Sequence, residues 1–212
     1  MKNRLTNEDP FIRRTIPSSK LSDYRKNLDQ IFKANFFTPN QTMPIDEDTK
    51  HRLDEIFTWA LGTHAHSDKG ILFFGDIGTG KTTLMKSAID LLYEMHGDKV
   101  IFRGLSAPLL ISAEKINEAF KRDDQALITQ LKRTRALAID DLGKEESEIM
   151  VYGTTIRPVQ QIIAERYQSK RRVLVTTNCT SREIIELYGL HIADRLREMC
   201  FPWLITGESY RH

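Results

Sequence analysis

The stretch GDIGTGKT, residues 75–82, stands directly after four apolar residues, ILFF, and directly before a segment with helical periodicity. It fits G-x-x-x-x-G-K-[ST] in the context that pattern requires: strand, glycine-rich loop, helix. Glycines let the backbone wrap closely around an anion with its N–H groups pointing inward, and the helix that follows presents its positive end to the same point. On this reading Gly75, Ile77, Gly78, Thr79, Gly80, Lys81, Thr82 and Thr83 hold the phosphates of ATP. Lys81 reaches the β and γ oxygens, and Thr82 gives its hydroxyl to Mg²⁺. Asp76 is ill suited to neighbour a phosphate, so its side chain is expected to point to solvent.

A loop of this kind hangs from a parallel sheet. The strand candidates are ILFF (71–74), VIF (100–102), ALAI (136–139), VLVT (173–176) and WLIT (203–206). Between them run helical stripes: Leu84, Ala88, Leu91, Leu92 and Met95; Ile116, Ala119 and Phe120; Leu127, Ile128 and Leu131; Val159, Ile162, Ile163 and Tyr167. Short apolar strands separated by helices of this length predict an α/β domain of three layers around a five-stranded parallel sheet, covered on both faces. Ahead of the first strand, Asp46 is placed to cap a helix lined by Leu53, Ile56, Phe57, Ala60 and Leu61, which Gly62 would end. Residues 1–44 carry several Pro-containing turns around one helix, where Leu21, Tyr24, Leu28, Ile31 and Phe32 make an apolar stripe for either its own core or a partner. The expected division is a partner-binding segment at 1–44 and an ATPase domain at 45–212.

Hydrolysis needs a carboxylate at the end of a neighbouring strand, and ALAIDDLG supplies two. Asp140 would hold the magnesium shell through water, and Asp141 would orient or deprotonate the attacking water. Elsewhere the residues point to no other chemistry. Cys179 and Cys200 form no CxxC pair and read as small hydrophobes, His64 and His66 as loop residues, and Trp59 and Trp203 as core. Nothing approaches the ~18 consecutive apolar residues of a membrane span, and the first residues lack the apolar core of a secretion signal, so a cytoplasmic protein without a membrane partner is expected. The net charge is only +2, yet residues 1–44 hold eight basic against four acidic side chains, and Lys170, Arg171 and Arg172 form a second basic cluster. Both read as solvated faces or as surfaces that track a phosphate backbone.

GDIGTGKT, ALAIDDLG, VLVTTN, LHIADRLREM and the terminal GESYR occur in the order and rough spacing of AAA+ ATPases. Over about residues 45–212 the chain resembles the DnaC/IstB branch: replicative helicase loaders and the transposition helper ATPases related to them. The resemblance implies a nucleotide-dependent oligomer without a helical lid domain. It implies that Asn178, ending VLVTTN, is the sensor that fixes the attacking water between the strands of the P-loop and of the acids, although Thr180 and Glu183 beside it make a helix capping box. It implies that Arg195 is the arginine finger reaching the γ-phosphate of an adjacent subunit, with Arg197 as fallback, and that Arg211 contacts nucleotide in cis. Many members have glutamate where Asp141 stands, and the shorter acid implies slow turnover.

Three functions follow. The first is a helicase loader-like ATP switch acting in DNA replication on single-stranded DNA. The second is a transposition helper ATPase that binds DNA and recruits a transposase. They differ in what residues 1–44 touch. The third, a small-molecule P-loop kinase, needs an acceptor site and an arginine-rich lid after the third strand, where this chain reads as amphipathic helix.

Overall fold

The computed structural model describes residues 18–36, 46–97, 108–207 and 209. The helices are α1 (Ser18–Asn35), α2 (Glu47–Ala60), α3 (Lys81–Gly97), α4 (Ala113–Lys121), α5 (Gln125–Arg133), α6 (Pro158–Gln168), α7 (Ser181–Tyr188) and α8 (Leu190–Met199). The strands are β1 (Gly70–Phe74), β2 (Leu109–Ser112), β3 (Ala136–Leu142), β4 (Ile149–Val151), β5 (Thr154–Ile156), β6 (Arg172–Thr177) and β7 (Cys200–Leu204). Five of these form one parallel sheet in the order β2-β3-β6-β1-β7, and β4 and β5 form a separate antiparallel hairpin.

The pleat divides the strand residues between two cores. Ile71, Phe73, Ala138 and Leu174 face one side, packed with Leu28, Leu53, Met85 and Leu92 of α1, α2 and α3. Their alternate neighbours Leu72, Leu137, Ile139, Val173 and Val175 face the other, against Ile116, Val159, Ile162, Ile184 and Leu196 of α4, α6, α7 and α8. The three layers expected from the strand and helix alternation are therefore present. Each such aliphatic side chain contributes about 1.5–3 kcal/mol through burial.

Local signals set the helix ends. Asp46 Oδ1 accepts the N–H of Thr49 at 2.7 Å, which holds its carboxyl below the ordinary aspartate value, and α2 runs to Leu61 ahead of Gly62. Thr180 and Glu183 close a reciprocal capping box at the start of α7. In α1 the stripe Tyr24, Leu28 and Phe32 is buried on the protein's own core, against α3, and Asn35 Nδ2 donates to Asp90 Oδ2 of α3 at 2.7 Å.

The β4–β5 hairpin was not anticipated, nor were three further features. The strand beside β3 is Leu109–Ser112, and the VIF segment at 100–102 lies outside the described residues. The strand read as WLIT begins earlier, at Cys200, and pairs with β1 from Gly70↔Cys200 to Phe74↔Leu204. Arg166, on the stripe of α6, is fully buried: Nη1 donates to the carbonyls of Leu131 (2.8 Å) and Thr134 (3.0 Å), and Nη2 to that of Arg172 (2.6 Å). It thereby satisfies the last carbonyls of α5 and joins the entries to β3 and β6. Burial, with Arg171 nearby, pulls its pKa down to about 10, which leaves it charged at neutral pH.

Candidate functional site

The sheet order puts β1, with the P-loop at its end, beside β6, and β6 beside β3, which ends in the acids. The glycine-rich loop, the end of β6 and the acid pair thus meet at the C-terminal ends of three neighbouring strands, where open α/β sheets form binding crevices.

Within the loop Gly75 has φ 134°, and a Cβ built on it would lie 2.2 Å from the carbonyl oxygen of Ile205. Gly78 has φ 85°, and a Cβ there would meet Ser209 Oγ at 2.1 Å and its Cβ at 3.0 Å. The chain following β7 therefore lies directly on the phosphate loop, and only glycine admits that approach. Thr79 is buried and donates to Asp76 O at 2.9 Å. Lys81, buried at the start of α3, donates through Nζ to Gly75 O at 2.9 Å and Asp76 O at 2.5 Å, so its ammonium sits inside the loop it closes. Asp76 and Ile77 are exposed at the loop surface, as the chemistry of an anion cradle requires of the acid.

Across from the loop, Asp140 Oδ1 accepts two hydroxyls, from Thr82 at 2.9 Å and from Thr176 at 2.6 Å. The ladder between β3 and β6 breaks register between Ile139 and Leu142, and Asp141 stands in that irregularity with φ 58°. Its backbone N–H donates to Thr176 Oγ1 at 2.9 Å, and its carboxylate is paired with Lys144 Nζ at 2.6 Å. Past the bulge Thr177 Oγ1 donates to Leu142 O at 2.6 Å and accepts from Cys179 N at 3.0 Å, which fixes the chain on both sides of Asn178 at the partly exposed end of β6. Buried Glu145 accepts from Gly143 N at 2.9 Å and from the Tyr188 hydroxyl, tying the turn after the acids to the end of α7. Burial first, then the Glu145 charge, pushes the Tyr188 phenol above its ordinary value.

Thr82 and Asp140 offer hard oxygen donors close together, the donor type magnesium takes when phosphates and water complete its shell. Among the described residues no cluster of three or more His, Cys, Asp or Glu side chains is arranged to hold a metal by protein ligands alone.

Arg195 lies on α8 with its guanidinium carbon 5.4 Å from the ring centre of Tyr167, whose hydroxyl donates to Glu198 at 2.5 Å. It makes no ion pair among the described residues, whereas Arg197 is paired with Asp194 at 3.2 Å. Arg211 lies outside the described residues. In the basic cluster, Arg171 donates to the carbonyl of Arg133 and Arg172 stacks over Trp59 at 5.7 Å, so only Lys170 of the three is exposed. The most exposed large hydrophobic side chains among the described residues belong instead to the hairpin: Met150 at 72% and Tyr152 at 86% exposure. Burial pushes the Cys200 thiol up to about 12, the behaviour of an inert core residue. No helix among the described residues is long and apolar enough to cross a membrane.

Sequence reasoning passed over Thr176, Lys144, Glu145 and Ser209. For Thr176 a signal existed: a hydroxyl in the fully buried run VLVTT must find a partner. For the others nothing local announces the contact.

No family model matches the chain. It is 30% identical over 149 residues to the replicative helicase loader DnaC of Escherichia coli K12, an alignment covering 66% of this chain and 55% of that protein. The chain spans about half the length of the curated relatives it matches. Among solved structures it resembles a DnaC helicase loader (TM-score 0.61, 20% identity, 79% of this chain and 95% of that one) and DnaI (0.61, 18%, 86% and 93%). It also resembles the AMPPCP-bound DnaA of Aquifex aeolicus (0.53, 19%, 82% and 52%).

Proposed function

The chain belongs to the DnaC-like AAA+ ATPases, and from that premise we propose that it is an ATP-driven switch that acts in DNA replication by placing a replicative helicase on single-stranded DNA. The observation that carries the reading is the 2.9 Å contact between Thr82, at the head of the P-loop helix, and Asp140, at the end of a strand two places away in the sheet. A phosphate loop and a metal-shell carboxylate converge there as nucleotide hydrolysis requires.

In this mechanism the loop N–H groups and Lys81 bind the phosphates, and Thr82, with Asp140 through water, would hold Mg²⁺, which would supply charge neutralisation to the triphosphate. Asp141, once turned from Lys144, takes the proton of the attacking water, and Asn178 fixes that water. Arg195 of a neighbouring copy completes the site. Arginine fingers are worth about 10³–10⁵ in rate, so turnover is slow in the isolated chain and rises on assembly. Ser209 lies over Gly78, and Arg211, two residues further along the sequence, is the residue proposed to contact the same nucleotide.

Support for the partners comes from relatives: DnaC is a replicative helicase loader, and a DnaA of the same fold is bound to AMPPCP and single-stranded DNA. In this chain the exposed aromatic Tyr152, at the turn between β4 and β5, is suited to stack on a base. Residues 1–44 are the segment proposed to contact the helicase.

The test is the mass of the particle with AMPPCP, with and without a single-stranded oligonucleotide, alongside ATP turnover in both conditions. Oligomers that form with nucleotide and a rate stimulated by the oligonucleotide support the reading. A monomer indifferent to both overturns it.

A further inference from the structure

We propose that Thr176 is a positioning residue that sets the magnesium requirement of this site; the inference rests on the ATP-binding reading above. Thr176 is 1% exposed, in the strand that separates the P-loop strand from the acid strand. A threonine hydroxyl has one proton to give. It goes to Asp140 Oδ1 at 2.6 Å, since a carboxylate only accepts, and the hydroxyl oxygen then takes the N–H of Asp141 at 2.9 Å.

Both ends of this relay matter. The Asp141 N–H sits where the β3–β6 ladder loses register, so Thr176 replaces the strand carbonyl that would otherwise accept from it and helps hold Asp141 at φ 58°. At the other end Oδ1 of Asp140 collects two hydroxyl protons, which fixes the carboxylate plane. Its Oδ2 makes no hydrogen bond among the described residues and is the oxygen left for the water shell of the ion. Without the Thr176 hydroxyl the carboxylate loses one of two anchors. Outer-shell partners of this kind are worth about 10–100-fold in metal affinity.

The experiment measures binding of a fluorescent ATP analogue to the full chain as Mg²⁺ is varied, with melting curves beside it. Thr176→Val keeps the shape and removes the hydroxyl; Thr176→Ser keeps the hydroxyl. The Val variant should need about 10-fold more Mg²⁺ for half-maximal binding, the Ser variant within about 3-fold of wild type, and all three should bind alike in EDTA. If Val disturbs folding, Thr176→Ala is read in its place with the same expectation. A Val or Ala variant that melts earlier but keeps the wild-type magnesium requirement overturns the proposal and reduces Thr176 to packing. A wild-type chain that binds no nucleotide at any Mg²⁺ concentration overturns the ATP reading itself, and this inference with it.

Discussion

Lys144 Nζ lies 2.6 Å from Asp141 Oδ2, an ion pair across the turn that leaves β3. Both side chains are partly exposed, so the pair adds under about 1 kcal/mol to stability. It does, however, occupy the carboxylate proposed to meet the attacking water. Lys144→Met should leave the melting temperature unchanged and raise ATP turnover a few-fold at low salt. The wild type should approach that rate as salt screens the pair. Equal rates at every salt concentration would show that Lys144 does not restrain Asp141.

Gly75 and Gly78 are held by what lies on them. Gly75→Ala drives a methyl into the Ile205 carbonyl, a backbone atom that can yield only if β7 parts from β1, at a cost of about 3 kcal/mol or more. Gly78→Ala meets the side chain of Ser209 and should displace the terminal segment and weaken ATP binding, with Ser209→Gly recovering part of the loss. Chemical unfolding and nucleotide binding on the three single variants and the Gly78/Ser209 pair check this.

Arg166→Met would leave the carbonyls of Leu131, Thr134 and Arg172 buried without a donor. At about 1–3 kcal/mol for each unsatisfied group, a loss of about 3–5 kcal/mol in urea unfolding is expected. Arg166→Lys should recover less than half, since one ammonium cannot reproduce the fork that spans three carbonyls.

These positions show where the sequence is informative. The P-loop, the acid strand and the capping box announce themselves, because each is a local pattern whose residues must be adjacent in the chain to work. The strand Leu109–Ser112 is not legible for a physical reason: Leu109 and Leu110 are good helix formers, and Ser112, the last strand residue, is also the N-cap of α4 with its hydroxyl accepting from Lys115. The hairpin was invisible because its strands are three residues long and its turn, Tyr152-Gly153, lacks the Asn-Gly or Asp-Gly signature. Arg166 and Glu145 break the expectation that charged residues stay outside, and apart from Gly143, two residues from Glu145, the partners named for them lie 6 to 43 residues away. Contacts made by folding alone leave no local trace.

Asp46 caps α2 through the N–H of Thr49, and this lowers its pKa. A lowered carboxyl pKa stabilises the fold above the unfolded value and loses that contribution as pH falls through the folded one. Asp46→Ala should cost about 1 kcal/mol at neutral pH. Asp46→Asn, which still accepts the bond, should cost only tenths and should flatten the fall in stability as pH drops through and below the ordinary aspartate range. Unfolding curves across that range read both.

Tyr152 stands in left-handed backbone, φ 48°, at the tip of the hairpin, and is 86% exposed. Base stacking on an aromatic is worth about 1–3 kcal/mol, so Tyr152→Ser should weaken single-strand binding about 10-fold without lowering the melting temperature. Fluorescence anisotropy with a labelled oligonucleotide measures it. Unchanged affinity would move the contact elsewhere on the surface.

The helix that opens the described chain is fastened along α3 by Tyr24, Leu28 and Phe32 and by the amides of Asn27 and Asn35, which donate to Glu94 and Asp90. The first residue of α3 is Lys81. The helix that buries the stripe of α1 is thus the one that carries the P-loop lysine at its first turn, and any substitution that loosens α1 should be felt at Lys81.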